Sequence, residues 1–245
     1  MCKRHFTSLI YTMHHFKATP PDFLLKTEQV DIWHYALSPE EQKDDTVLSH
    51  HEVTRANRFH FPHHKRRFIA AHTHLRHVLA HYLNQTAASI VFTSNQYGKP
   101  EVINKLNLQF NISHSRDLIV IAVGQNNPVG IDIEYFSPRP YHGIANNLFS
   151  TQEINAYKQA PHALKMLTFF SIWSQKEAFI KACGMGLSYP TKTFTVQPLL
   201  SYQQQINDPR HQKMWSMHTF MPDIFCCGAL CHSPSIKNIR YISEN

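Results

Sequence analysis

Apolar residues recur along this chain with two different spacings, and the switches between them mark out an alternating series of strands and helices. Alternating or short apolar runs predict strands at Val30 to Leu37, Ser89 to Ser94, Gln109 to Ser113 and Leu118 to Val123. After the first of these, Phe68, Ala71, Leu75, Val78 and Tyr82 fall on one helical face, while Lys65, Arg66, Arg76, His77 and His81 lie largely on others. A helix from Pro62 to Leu83 follows, opened by proline and closed near Asn84. The same order then returns. A strand runs from Pro128 through GIDIE (Gly130 to Glu134), and a helix from Pro161 to Cys183 is opened by proline and closed by Gly184. Strands at Thr193 to Val196, Met214 to Phe220 and Asp223 to Leu230 complete the second series.

The expected class is therefore α+β, with two halves of similar element order, each a small sheet packed on a long helix. The stretch Gln125-Asn126-Asn127-Pro128 reads as the link, which divides the chain into residues 1–126 and 127–245. A cleft between the halves is the natural place for a ligand.

Two segments carry the chemistry. On a strand, Asp132 and Glu134 share one face while Ile131 and Ile133 point into the core. On the helix through WSQKEAFIK (Trp173 to Lys181), Glu177 and Lys181 are neighbours one turn apart, and Gln175-Lys176-Glu177 is expected to meet the cleft. Asp132, Glu134 and Glu177 together suit a hard divalent cation such as magnesium, which takes one or two carboxylates plus phosphate oxygens. Neither segment contains His or Cys at ligand spacing, which argues against zinc. Gly184 and Gly186 make a flexible turn just after this helix. In NQYGKP, Gly98 and Pro100 fix a turn that presents Lys99, and NISHS ends a strand with Ser113 and His114.

Charge sharpens the picture. Among 245 residues, 24 Lys and Arg outnumber 17 Asp and Glu, a formal net charge of +7 that favours anionic partners. No nucleic-acid reader motif accompanies that charge, so no nucleic-acid partner is expected. The five cysteines are badly spaced for a metal knuckle, and IFCCGAL reads as a buried strand with free thiols, which implies a reducing compartment. No signal peptide and no membrane span are expected, and the reading is a cytoplasmic, soluble chain. His74, His77 and His81 have helical spacing but no acidic or thiolate partner, so they read as exposed helix residues.

In order along the chain stand SHHEVTRANRF (Ser49 to Phe59), RRFIAAHTHLR (Arg66 to Arg76), YGKP (Tyr97 to Pro100) and FNISHS (Phe110 to Ser115). GIDIE, FSTQE (Phe149 to Glu153), WSQKEAFIK and GMGLSYP (Gly184 to Pro190) follow. This series resembles the phosphopantetheinyl transferases of the surfactin-synthetase-activating (Sfp) type, over most of the chain from about Ser49 to His232. The resemblance implies two α+β subdomains related by a pseudo-twofold axis. It also implies transfer of the 4′-phosphopantetheine arm of coenzyme A to a serine of an apo acyl or peptidyl carrier protein, releasing adenosine 3′,5′-bisphosphate. Carried over, Asp132, Glu134 and Glu177 bind magnesium, Glu177 is the base and Lys181 assists the departing phosphate. Arg55, Arg67, Tyr97, Gly98, Lys99, Asn111, Ser113, His114 and Lys181 are the expected coenzyme A contacts. A monomer is expected, with the carrier docking near Pro138 to Lys158 through Arg139, Tyr141, Phe149 and Lys158. Two departures stand out: Arg116 replaces a frequent glycine after SHS, and Glu52 stands where some relatives carry a nucleotide-binding lysine. The rival reading is an inactive carrier- or nucleotide-binding module, against which Asp132, Glu177 and Lys181 speak.

Overall fold

The two halves build two sheets, each covered on its outer face by one long helix. The computed structural model describes residues 17–18, 23–37, 45–138, 141–198 and 203–243. In the first half lie β1 (Lys17–Ala18), β2 (Gln29–Ala36), α1 (His50–Ala56), α2 (Pro62–Leu83), β3 (Phe92–Ser94), β4 (Pro100–Val102), β5 (Leu108–Ser115) and β6 (Leu118–Gln125). The second half holds β7 (Val129–Tyr135), α3 (Tyr141–Leu148), α4 (Thr151–Gln159), α5 (Lys165–Ala182), β8 (Gln203–Asp208), β9 (Lys213–Asp223), β10 (Cys226–His232) and β11 (Asn238–Ser243). One sheet has the order β1-β11-β2-β6-β5, the other β7-β10-β9-β8, and β3 with β4 forms a small hairpin.

Helix α2 packs Ala71, Leu75, Val78 and Leu79 on Trp33, Ile119, Ile121 and Val123 of the first sheet. Helix α5 packs Phe179 and Ala182 against Met217, Ala229 and Cys231 of the second. Between the sheets, Ile32, Val120 and Ala122 meet Ile131, Ile133, Phe220 and Leu230. The result is a mixed α+β fold of two subdomains, helix outside and sheets inside.

The repeat reaches individual side chains. Ser49 and Glu52 form a capping box on α1, and Ser150 and Glu153 form one on α4. Each glutamate is then buried against a cation of its long helix: Glu52 with Arg76 at 2.6 Å, Glu153 with Lys176 at 2.9 Å. Each cation also donates to two carbonyls beyond the helix, Arg76 to those of Ala87 and Ile90, Lys176 to those of Thr191 and Phe194. Full hydrogen bonding of this kind is what makes a buried ion pair tolerable.

These cassettes correct three expectations. Arg76, expected off the buried face, is 1% exposed because α1 supplies its counter-charge. Gln175 and Lys176, expected at the cleft, are buried on the far side of α5, which leaves Glu177 alone of the three facing the GIDIE carboxylates. Thr193 to Val196 forms no strand, since the Val196 N–H donates to Glu153 and the Phe194 carbonyl accepts from Lys176. Residues 162–164 make a 3-10 turn before α5, and another at 87–89 leaves β3 shorter than expected. The last strand, β11, recrosses the link at residues 126 and 127 and pairs in parallel with β2.

Candidate active site

The site forms where the edge of the first sheet, β5, meets the edge of the second, β7. Edge strands carry unpaired N–H groups, and here side chains satisfy them. Asn111, Ser113 and Ser115, alternating on one face of β5, accept from the N–H groups of Ile131, Ile133 and Tyr135 at 2.8, 3.3 and 3.0 Å. The NISHS segment thus stitches the halves together and aligns β7 beside it.

On the same strand, Gly130, Asp132 and Glu134 face α5. A Cβ on Gly130 would lie 2.1 Å from the Ala178 carbonyl oxygen and 2.3 Å from the Ala182 nitrogen, so only glycine permits this approach of helix to strand. Close packing brings the charges together. Lys181 Nζ donates to Asp132 Oδ1 at 2.7 Å and to the Ile131 carbonyl at 3.2 Å, and lies 3.3 Å from Ser113 Oγ. Ser113 Oγ also donates to Asp132 Oδ1 at 2.9 Å. Trp173 Nε1 donates to Glu134 Oε1 at 2.9 Å.

Burial, and then the negative charge of Asp132, push Glu177 up to about 7 against the pull of Lys181. Burial also raises Asp132, opposed by Lys181. A carboxylate poised near neutrality beside an ammonium is the pairing that proton transfer and charge neutralisation require.

A cleft of about 600 Å³ opens from this corner along the first half. Its walls include Arg55, Phe68, His72 and Phe92, and its inner end is Ser113, His114, Asp132, Glu134 and Lys181. Burial, with the nearby charges of Lys181 and Arg67, holds His114 below its ordinary pKa. Sequence reasoning did not select His51, His72 or Phe92 for the cleft, because no spacing links α1, α2 and β3. Trp173 stands one turn before Glu177, the one signal that could have marked it.

Several expected coenzyme A contacts already bond within the protein. Arg67 makes two 2.9 Å bonds to Asp117, Asn111 serves the Ile131 N–H, and Lys99 Nζ donates to the Val129 carbonyl at 3.0 Å. None of the three, nor Tyr97 or Gly98, is on the cleft wall. Glu52, the second departure, lines the cleft while bonded to Arg76 and His72. Arg116 takes φ +52° in the two-residue β5–β6 turn, where glycine is favoured, and donates to the Phe136 carbonyl at 2.9 Å. Phe149, expected at a docking surface, is wholly buried in the second core, while Lys158 is exposed. Arg139 lies outside the described residues.

Among the described residues, no three His, Cys, Asp or Glu side chains already form a closed metal cage. The donor set nevertheless fits magnesium. Asp132 Oδ2 is buried with no hydrogen-bond partner, Glu134 and Glu177 contribute to the same field, and phosphate oxygens and water ordinarily complete such a site. His74 and His81 pack on Tyr35 and Phe23. Cys183, Cys226, Cys227 and Cys231 are free thiols. No described helix is long and apolar enough to cross a membrane.

Comparison with known proteins agrees with this architecture half by half. Residues 37–126 match the family described as 4′-phosphopantetheinyl transferase, N-terminal, and residues 128–226 match the 4′-phosphopantetheinyl transferase superfamily. The chain is 33% identical to the 4′-phosphopantetheinyl transferase HetI of Nostoc sp., over 89% of this chain and 93% of that protein. It is 31% identical to the 4′-phosphopantetheinyl transferase Sfp of Bacillus subtilis, over 84% and 93% respectively. With psf-1 of Bacillus pumilus the identity is 33%, over 75% and 78%. A site built on GIDIE and WSQKE, in a fold whose two halves each match their part of one family, makes this chain a member of the 4′-phosphopantetheinyl transferase superfamily, of the Sfp-like type, and a transferase of that class.

Proposed function

We propose that the enzyme transfers the 4′-phosphopantetheine moiety of coenzyme A to a serine of an apo acyl or peptidyl carrier protein, with magnesium, releasing adenosine 3′,5′-bisphosphate. The observation that carries this reading is the corner of Asp132, Glu177 and Lys181 at the end of a cleft whose wall sets Arg55, Ser113 and His114 beside apolar Phe68, Leu75 and Phe92. The serine oxygen forms a new bond to the phosphorus bearing the pantetheine arm, and the pyrophosphate P–O bond breaks. Glu177 removes the serine proton, directly or through water. Lys181, one turn on, neutralises the departing phosphate. Arg55, Ser113 and His114 hold the nucleotide phosphates from the cleft wall. Asp132, Glu134 and Glu177 would hold the magnesium, which when bound stabilises charge on the pyrophosphate. The free thiols suit a reducing cytoplasm.

Mass spectrometry tests this directly. A panel of apo carrier domains is incubated with coenzyme A, with and without magnesium. A mass increase of one phosphopantetheine arm is expected on at least one carrier, only with magnesium. No increase on any carrier would favour a binding module instead.

A further inference from the structure

We propose that Arg116 and Asp223, on two turns that flank the outer end of β7, are positioning residues that fix Glu134 in the magnesium-binding corner. This rests on the transferase reading above for its metal, though not for its geometry.

A chain segment is least constrained where its element ends, and Glu134 is the penultimate residue of β7. Two turns hold that end from opposite sides. From the β5–β6 turn, Arg116 donates to the Phe136 carbonyl at 2.9 Å, and its guanidinium lies 4.8 Å from the centre of the Tyr135 ring. This carries the row of Asn111, Ser113 and Ser115 one step beyond the strand. From the β9–β10 turn, the Phe225 carbonyl accepts from the Phe136 N–H at 2.8 Å, and Asp223 accepts from the Tyr135 hydroxyl. Asp223 also accepts from the Ile224 N–H at 2.6 Å, which shapes its own turn. Both turns therefore grip the two residues that follow Glu134, whose carboxylate meets Trp173 at 2.9 Å and Ser115 at 3.5 Å.

Each turn holds a bulky residue in the left-handed region, Arg116 at φ +52° and Phe225 at φ +62°, a conformation that favours glycine. Such backbone persists where its surroundings over-determine it, and it gathers at functional sites. Glycine at position 116 would ease the turn and lose both contacts to β7. Arg116 and Asp223 are exposed, so truncating either opens no core cavity, and neither is on the wall of the cleft. What they contribute is the placement of the strand end. Groups that orient a metal ligand from behind commonly change metal affinity by about tenfold or more when they are lost.

The experiment compares the wild type with Arg116→Gly and Asp223→Ala. Magnesium affinity is read by calorimetry with coenzyme A present, and magnesium half-saturation by transfer to apo carrier. Hydrogen–deuterium exchange is followed over residues 133–137 without magnesium. Both variants should bind magnesium about tenfold more weakly and need correspondingly more of it for half-maximal transfer. At saturating magnesium the KM for coenzyme A should stay within about twofold, because the cleft wall is untouched. Exchange over residues 133–137 should quicken in both. Unchanged magnesium affinity in either variant would overturn the proposal, as would unchanged exchange. So would a raised KM for coenzyme A at saturating magnesium in Arg116→Gly, which would place the effect at Ser113 and His114. Should Arg116→Gly fail to fold, Asp223→Ala, on the other turn, decides the matter by the same readouts. A wild type inactive on every carrier would defeat the transferase reading alone, since calorimetry and exchange need no turnover.

Discussion

Glu177 keeps its proton to a pH at which an ordinary carboxyl has long lost it, and this carries two opposite consequences. Deprotonated, it is a base of suitable strength, so Glu177→Gln should lower transfer at least about a hundredfold in the mass-spectrometric assay. Its raised pKa also means that the folded state binds more protons than the unfolded state between about pH 4.3 and 7. Stability is therefore lost as pH rises through that window. The same variant should be more stable than the wild type at pH 8, by on the order of 1–3 kcal/mol allowing for partial exposure, and little different at pH 4. Thermal melts without ligand at the two values check this. That Asp132 and Glu134 share a strand face, and that Glu177 and Lys181 stand one turn apart, was legible from the two periods, and the fold brings these groups to one corner. The internal partners of Lys99, Asn111 and Arg67 were not legible, because a cation or amide reads alike whether it meets a ligand, a peptide group or a carboxylate.

At the scale of elements, the close approach of α5 to β7 is the most demanding contact in the site. Gly130→Ala places a methyl against the helix backbone, so α5 must lift. Transfer should fall about a hundredfold, since small misplacements cost that much. A variant with unchanged kcat would show that the helix can shift without consequence. The capping-box glutamates hold the short helices to the long ones. Hydrogen bonds from His72, Arg76 and Ser49 overcome burial and hold Glu52 well below the usual carboxylate range. A depressed carboxyl pKa stabilises the fold above its unfolded value near 4.3, and that contribution is lost as pH falls through the folded value. Glu52→Gln should cost about 3 kcal/mol at pH 7 and lessen the acid sensitivity of the wild type below about pH 4, as denaturant titrations would read. The long helices and central strands were legible because their periods are sustained. Helices α1 and α4, though each opens with S-x-x-E, are too short for periodicity to declare, and their role lies in burying a charge that only tertiary structure completes.

For the whole molecule, a formal charge of +7 with exposed Arg58, Lys65 and Lys158 favours encounter with an acidic carrier surface. Raising salt to about 0.5 M should therefore raise the KM for carrier much more than that for coenzyme A, because long-range attraction is screened. Equal sensitivity of the two constants would mean that surface charge does not guide docking. The division into two halves was legible from element order, but the return of the last strand was not, since Asn238 to Ser243 looks like a plain C-terminal run. That return has a consequence for how the chain is made. Strand β11 fills the place between β1 and β2, and Arg240 makes two 2.7 Å bonds to Asp31, a wholly buried carboxylate 209 residues earlier. On the ribosome, β2 must wait with one edge open and Asp31 short of its guanidinium partner until Arg240, 209 residues later, has been synthesised. Open edges of this kind invite pairing with other chains. Residues 1–126 produced alone should accordingly aggregate, and supplying residues 127–245 in the same cell should return them to solution, as size-exclusion chromatography would show. The enzyme's first half to be born is the last to be finished.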